Sequence, residues 1–271
     1  IHAHTRPGDQ LICYENAHVY LYEGGGAAAN AGVTVRALPS PRGILSPEDI
    51  TANINVDDPH FPHTSLVCIE NTVNKGGGAC WSLDEMSAVS TLCREKNIPL
   101  HMDGARILNA VVAKGYSMED VGRRMDSISV CLSKGLGAPV GSVLAGTQAF
   151  IHQSRRIRKR FGGGMRQAGF LAAAGRFALN NHVDRLSEDH QRAMELGKAL
   201  ETAPWVKHVV PVETNIVIFH PEPPVEIVLE ALRREGVLAV PFGRDAIRLV
   251  VHLGINTEMI SEFTFKVIKL L

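Results

Sequence analysis

Short apolar segments alternate with stretches of helical periodicity over the first half of the chain. The apolar segments have strand length and strand composition, and the stretches between them are long enough for crossover helices. This alternation predicts a mainly parallel sheet covered by helices. The predicted strands are Gln10–Cys13, Val33–Leu38, Ser65–Glu70, Pro99–Asp103, Ser127–Leu132 and Ser142–Gly146.

Two of the intervening stretches carry a clear helical pattern. In the first, Leu83, Met86, Val89 and Leu92 recur at three-residue steps ahead of Lys96. Such spacing places apolar side chains on one face of a helix, where they can cover a sheet. The second predicted helix is Ile107–Lys114.

The pattern of predicted helices and strands changes after Gly164. We predict a long helical stretch there, followed by two strands and two helices that form a smaller α+β domain. The predicted domains are 1–180, a large domain that is incomplete at its N-terminal end, and 181–271. The elements assigned to the second part are a helix from Gln167 to about Leu200, strands Asn215–His220 and Ile247–Val251, a helix Val225–Arg234 and a closing helix from Glu258.

Composition narrows the class of protein without naming a function. The 271 residues are 45% hydrophobic and 21% charged, which is ample material for a large core. A formal net charge of zero and a pI near 7.3 favour neither nucleic acid nor a membrane surface as partner. The basic run Arg155–Arg160 is interpreted as a solvated helix face.

Cysteine usage and the chain start concern the cellular compartment. The five cysteines have no metal-ligand spacing, so no metal is expected, and they are interpreted as reduced core thiols of a cytoplasmic protein. No apolar stretch approaches the about 18 residues of a membrane span, and the first residues do not resemble a signal peptide. Because the chain does not begin with Met, we expect a longer reading frame.

The most informative candidate residue is Lys134. It follows an apolar strand and opens a glycine-rich turn, Gly135 to Gly141. A lysine in that position loses hydration, which favours the neutral amine that can attack a carbonyl and form a Schiff base. The alternative is an ordinary solvated loop lysine.

A carboxylate strengthens the first interpretation. Asp103 ends the preceding predicted strand, and ligands of open parallel sheets bind beyond the carboxyl ends of the strands. Asp103 and Lys134 are therefore expected to face one crevice. They could form a simple salt bridge. They could also be the pair that pyridoxal phosphate (PLP) requires, with a lysine for the carbonyl and a carboxylate at the pyridine nitrogen.

Further motifs occur in order along the chain and together resemble a known family. The chain is similar to the low-specificity L-threonine aldolases, PLP enzymes of fold type I in the β-eliminating lyase group, from about Gly8 to its C-terminus. The resemblance implies an α/β PLP-dependent transferase-like large domain and a smaller C-terminal α+β domain. The motifs are His18 before a glycine-interrupted helix, Glu70-Asn71-Thr72, Asp103-Gly104-Ala105-Arg106, Ser133-Lys134-Gly135, Gly162-Gly163-Gly164-Met165-Arg166-Gln167 and Arg248-Leu249-Val250-Val251-His252.

The resemblance also implies roles for single residues. Lys134 would bind PLP covalently, Asp103 would bind its pyridine nitrogen and His18 would stack on its ring, which makes these three the catalytic candidates. Guanidinium groups match carboxylates in two-point geometry, which suits substrate binding by arginine. The cofactor-binding set is completed by Ser133, Arg106 and Arg166, and the substrate-binding set is Arg106, Arg248 and Lys159.

The implied reaction is retro-aldol cleavage of L-threonine or L-allo-threonine to glycine and acetaldehyde. The substrate would be a small β-hydroxy amino acid, and the enzyme would be a homotetramer built as a dimer of dimers, with active sites at a subunit interface. Such an enzyme belongs to threonine degradation and glycine biosynthesis.

Two departures from the family pattern keep alternatives open. Val73 stands where several family members carry a second histidine near the substrate hydroxyl, so the general base is open. The family's N-terminal segment, with a glycine-threonine loop for the phosphate and a serine near the substrate, is expected to lie outside this sequence. The alternatives are a non-catalytic truncated homologue or subunit of an aldolase, and another β-eliminating lyase of the same fold.

Overall fold

The first half of the chain forms a six-stranded sheet in a computed structural model that describes residues 1–268 and residue 270. Neighbouring strands lie in the order β2-β1-β3-β4-β5-β6, and all pairs are parallel except β5 and β6. The six predicted strands are confirmed within one residue at each end. Their bounds are Gln10–Tyr14 (β1), Thr34–Leu38 (β2), Thr64–Glu70 (β3), Leu100–Gly104 (β4), Ser127–Cys131 (β5) and Ser142–Gly146 (β6).

A second sheet of four strands follows residue 205. Its order is β7-β8-β10-β9, and every pair in it is antiparallel. The prediction found two of these strands and missed the two at the edges of the sheet. The bounds are Val206–Val209 (β7), Ile216–Pro221 (β8), Val240–Pro241 (β9) and Ile247–Val250 (β10).

Helices connect the strands and cover the sheets. Local capping signals set several of their starts: Ser82 accepts a hydrogen bond from the amide of Glu85, whose side chain caps in return, and Ser117 and Asp120 repeat the arrangement. The helices are His18–Leu21 (α1), Gly26–Ala31 (α2), Pro47–Thr51 (α3), Leu83–Glu95 (α4), Ile107–Lys114 (α5), Met118–Gly122 (α6), Gln148–Arg160 (α7), Gly169–Asn181 (α8), Leu186–Thr202 (α9), Val225–Arg234 (α10) and Thr257–Val267 (α11).

The prediction of a single long helix from Gln167 to about Leu200 is wrong, because the helix is interrupted between α8 and α9. Asn181 and His182 are weak helix formers, and the His182 ring is used elsewhere. Its Nδ1 lies 2.6 Å from the carbonyl oxygen of Leu136, in the loop that carries Lys134. The contact that His182 makes at this interruption therefore holds the glycine-rich loop in place.

Two main hydrophobic clusters underlie the sheets. The first contains the fully buried side chains of β1, β3 and β4, such as Leu11, Leu66 and Met102. The second packs Phe219 of β8 and Val228 of α10 against α9 and α11. The five cysteines are free, and four of them are buried, as predicted for core thiols. Within residues 1–268, no helix is both long and apolar enough to cross a bilayer.

The first sheet places several ionisable residues of the candidate active site at one edge. β3 ends at Glu70 and β4 ends with Asp103 and Gly104, and Glu70 lies beside Asp103 in the parallel register. β5 runs parallel to β4, so the loop 132–141 that joins β5 to β6 starts at the same edge. The carboxyl ends of the strands thus gather Glu70, Asp103 and the Lys134 loop.

Candidate active site

Asp103 and Lys134 lie close enough to interact electrostatically. Asp103 is only 8% exposed, and its Oδ1 accepts a hydrogen bond of 3.1 Å from the Ala105 amide. Burial raises the pKa of Asp103, while the Ala105 amide and the charges of Lys134 and His18 oppose that rise. The acid and the amine therefore lie at the same edge of the sheet.

Local hydrogen bonds shape the loop that presents Lys134. The Leu132 amide donates to the Gly141 carbonyl and the Ala138 amide to the Leu132 carbonyl, which closes the loop into a compact turn. Gly137 has a φ of +70°, in the left-handed region that favours glycine. Lys134 is half-buried and Ser133 is exposed next to it, so both are accessible from the cleft side.

His18 is the first residue of α1 and is held at the cleft by its backbone. Its amide donates to Glu70 Oε2 at 2.9 Å. Its Nε2 lies 2.8 Å from Glu23 Oε1, and its ring stacks on that of Tyr22 at 5.5 Å between centres. An imidazole fixed on both sides in this way can cover a flat ligand ring.

Glu70 joins two segments of the site. Besides the His18 amide, its carboxylate accepts the Asn74 amide at 2.8 Å through the other oxygen. Burial raises the pKa of this carboxyl, and the two amide hydrogen bonds oppose the rise. Because one side chain binds both backbones, the His18 and Asn74 segments are held at a fixed separation.

Arg106 and Arg248 approach each other from the two sheets. Arg106 follows β4, Arg248 lies on β10, and Arg248 lowers the pKa of Arg106 after the larger effect of burial. Arg248 Nη1 donates to Asn74 Oδ1 at 2.7 Å. The Nε atoms of both arginines are buried without a hydrogen-bond partner in the part of the chain described here. Two such donors are typical of a site for an anion, and a carboxylate fits them.

Lys159 and Arg166 are not brought into this cluster. Lys159 lies in the last turn of α7 and Arg166 lies between α7 and α8, and both are exposed. Among residues 1–268, neither side chain has a hydrogen bond or ion pair. Their assignment to the site therefore stays a prediction, one that requires a second subunit or a rearrangement of this segment.

The Val73 side chain is packed in the protein interior. It is fully buried, and its backbone pairs with Ala79. The position where several family members have a histidine therefore contributes no proton-transfer group here.

Sequence reasoning missed four residues of the cleft. Asn74 holds Arg248, and Lys75 places its Nζ 3.8 Å from the ring centre of Phe242, which Arg248 also contacts at 4.6 Å. Tyr22 completes the group as the ring beside His18. Asn74 and Lys75 precede three glycines, which marks a constrained turn, but no signal in the sequence connects Phe242 to it.

The residues present fit the cofactor that the resemblance implies. Asp103 is a buried carboxylate beside an amine, as a protonated ring nitrogen and a reactive carbonyl require. His18 offers an oriented ring, and Ser133 an exposed hydroxyl next to Lys134. The unpaired arginine Nε atoms leave a place for a carboxylate close to Asp103, whose charge acts on Arg106.

Comparison with solved structures agrees with this fold. The chain superimposes on the threonine aldolase of Leishmania major with a TM-score of 0.84 and 20% sequence identity, over 99% of this chain and 79% of that one. At this identity the likeness shows the fold, an α/β PLP-dependent transferase-like architecture.

Sequence comparisons identify the family. The low specificity L-threonine aldolase of Escherichia coli K12 is 38% identical over 264 residues, which are 96% of this chain and 77% of the relative. Low-specificity L-threonine aldolase 1 of Arabidopsis thaliana is 37% identical over 268 residues, 95% of this chain and 74% of the relative. The model of the beta-eliminating lyase family matches residues 1–222. The chain therefore belongs to the beta-eliminating lyase family, among the low-specificity L-threonine aldolases.

Proposed function

We propose that the protein is a PLP-dependent aldehyde-lyase that cleaves L-threonine and L-allo-threonine to glycine and acetaldehyde. The observation that carries this proposal is the convergence of Asp103 and Lys134 with two arginines whose Nε atoms lack partners. Family membership and the names of the relatives support the same reaction.

PLP, when bound, supplies an electron-withdrawing ring that accepts the electron pair of the cleaved Cα–Cβ bond. In the proposed arrangement Lys134 would hold the cofactor through its carbonyl group and Asp103 would hold a proton at the pyridine nitrogen. His18 would cover the ring face, and its contact with Glu23 fixes the imidazole. Ser133 and Arg166 complete the proposed cofactor contacts.

The arginines give the site its orientation. Arg106 and Arg248 would bind the substrate carboxylate, with Lys159 as a further proposed substrate contact. By holding the carboxylate, the two arginines would orient the substrate and so select which bond at Cα is cleaved, here the bond to Cβ.

A coupled assay tests the proposal. Purified protein is incubated with PLP and L-allo-threonine, and acetaldehyde is followed with alcohol dehydrogenase and NADH while glycine is quantified separately. We expect equal amounts of both products, dependent on PLP, and a loss of at least tenfold in kcat/KM for Arg106→Gln. No acetaldehyde from PLP-loaded protein would favour the non-catalytic homologue, and 2-oxobutyrate with ammonia, the products of β-elimination of water, would favour a different lyase.

We propose a homo-oligomer, a dimer of dimers, in the cytoplasm. The oligomer is supported by apolar side chains exposed along α8 and the segment before it. Phe170 is 92% exposed, Met165 73% and Phe177 60%. Light scattering on a size-exclusion column tests this: a tetramer is expected, and a monomer that is active would contradict it.

We also propose the domain division 1–180 and 181–271, which the separate sheets support.

A further inference from the structure

Lys75 stands at the cleft in a turn that has little freedom. The Asn74 amide before it is bound by Glu70, and three glycines follow. A Cβ on Gly76 would meet the Arg42 carbonyl oxygen at 2.2 Å, and one on Gly78 would meet Thr214 Oγ1 at 2.5 Å. The turn is thus packed against its surroundings on both sides, and the Lys75 backbone is held in place.

Aromatic rings hold the ammonium of Lys75. Its Nζ lies 3.8 Å from the ring centre of Phe242 and 5.8 Å from that of Tyr22. Cation–π contacts of this kind orient a cation without neutralising its charge. In residues 1–268, no carboxylate forms an ion pair with Lys75, although the side chain is half-buried. Its charge is available to a ligand.

Arg248 shares the ring with Lys75. Its guanidinium carbon lies 4.6 Å from the same ring centre, so the two cationic groups are at most about 8.4 Å apart, the sum of the two distances to Phe242. Because the two cations lie within this distance of each other, one molecule with two carboxylates a few bonds apart can reach both of them.

Since Arg248 is in the position proposed to bind the α-carboxylate, we propose that Lys75 binds a second, distal anionic group of the substrate. The inference rests on the proposed function and extends it to β-hydroxy amino acids with a side-chain carboxylate, of which 3-hydroxyaspartate is the simplest. The Cα–Cβ bond breaks, its electron pair stays with Cα and takes up a proton, and the β-hydroxyl loses its proton as Cβ becomes an aldehyde carbon. The products are glycine and glyoxylate, and no oxidant or reductant is needed.

The test is a ratio of specificities. We would measure kcat/KM for 3-hydroxyaspartate, through glyoxylate, and for L-allo-threonine, through acetaldehyde, in the wild type, Lys75→Met and Lys75→Arg. The methionine keeps the length of the side chain and removes its charge, and the arginine keeps the charge. The ratio of the two values is expected to fall about 10- to 100-fold in Lys75→Met, the factor of one hydrogen bond to a charged group, and to change about threefold or less in Lys75→Arg.

A ratio that is the same in Lys75→Met and the wild type would overturn the inference, as would a wild type that cleaves allo-threonine but not 3-hydroxyaspartate. Calorimetric binding of L-aspartate and L-2-aminobutyrate to the PLP-loaded protein separates this from the proposed function, since neither compound is cleaved. If Lys75→Met weakens aspartate binding alone while no substrate is cleaved by the wild type, the proposed function fails, and only the role of Lys75 in binding a distal carboxylate stands. Equal aspartate affinity in both proteins overturns the inference.

Discussion

Replacing Glu70 tests whether one buried carboxylate organises the cleft. Its two oxygens each accept a backbone amide, from His18 at 2.9 Å and from Asn74 at 2.8 Å. Glu70→Gln keeps the shape of the side chain, but its amide group offers one acceptor oxygen and one NH2. One of the two backbone N–H groups must then face another donor.

The expected loss follows from these contacts. A hydrogen bond to a charged group contributes about 1.5 to 3 kcal/mol, and a buried donor left unpaired costs about 1 to 3 kcal/mol. Relief from burying the charge opposes the loss, because burial raises the pKa of Glu70. We therefore expect Glu70→Gln to lower the free energy of unfolding by about 2 kcal/mol. Since Asn74 holds Arg248, the KM for L-allo-threonine should also rise.

Urea unfolding followed by tryptophan fluorescence measures the free energy of unfolding. Trp81 is a local reporter because its Nε1 donates to the Glu70 carbonyl at 3.0 Å. Glu119→Gln is the matched control, since that side chain is 73% exposed and pairs with Arg123 on the surface. A change of about 0.5 kcal/mol or less is expected for the control. If Glu70→Gln changes stability and KM as little as the control does, the organising role is refuted.

Three further changes probe separate parts of the account. Arg248→Lys keeps the charge but loses the forked geometry, so KM for L-allo-threonine should rise at least tenfold, and steady-state kinetics with unchanged KM would contradict carboxylate binding. Burial lowers the pKa of His101 to about 3 from an ordinary 6.5, so the unfolded chain takes up a proton first and stability is lost as the pH falls below 6.5. Chemical denaturation at pH 7 and 5 should show that His101→Asn reduces the loss of stability between these pH values by about 2 kcal/mol, and the same pH dependence in the variant would count against this cause. Gly104→Ala would place a Cβ 2.7 Å from the Ser129 carbonyl oxygen, so thermal unfolding should reveal a destabilisation of about 1 to 3 kcal/mol, and a melting temperature equal to the wild type would refute the close packing.

The sequence predicts the central strands β1, β3 and β4 of the first sheet well because they are buried on both faces. All seven residues of β3 are buried, and such runs are visible without any tertiary information. The strands β7 and β9 have four and two residues, and they exist because neighbouring strands pair with them. Local composition cannot reveal strands of that kind.

The candidate site divides in the same way. Asp103 and Lys134 follow strands that the pattern predicts, so the rule for carboxyl ends brings them together. The contact between Asn74 and Arg248 joins residues 174 positions apart, and the rings around Lys75 come from both ends of the chain. These contacts depend on how the second sheet packs on the first, and the hydrophobic periodicity of the sequence does not determine that packing.

Identification of the lysine that binds PLP would show whether Lys134 is the reactive amine of this site. The protein is incubated with PLP, reduced with borohydride, digested and examined by mass spectrometry, with Lys134→Ala and the exposed Lys96→Ala as a matched pair of variants. The account predicts a pyridoxyl group on the peptide containing Lys134, together with a visible absorption band, in the wild type and Lys96→Ala but not in Lys134→Ala. A pyridoxyl group on another lysine, or a band that persists in Lys134→Ala, would contradict it.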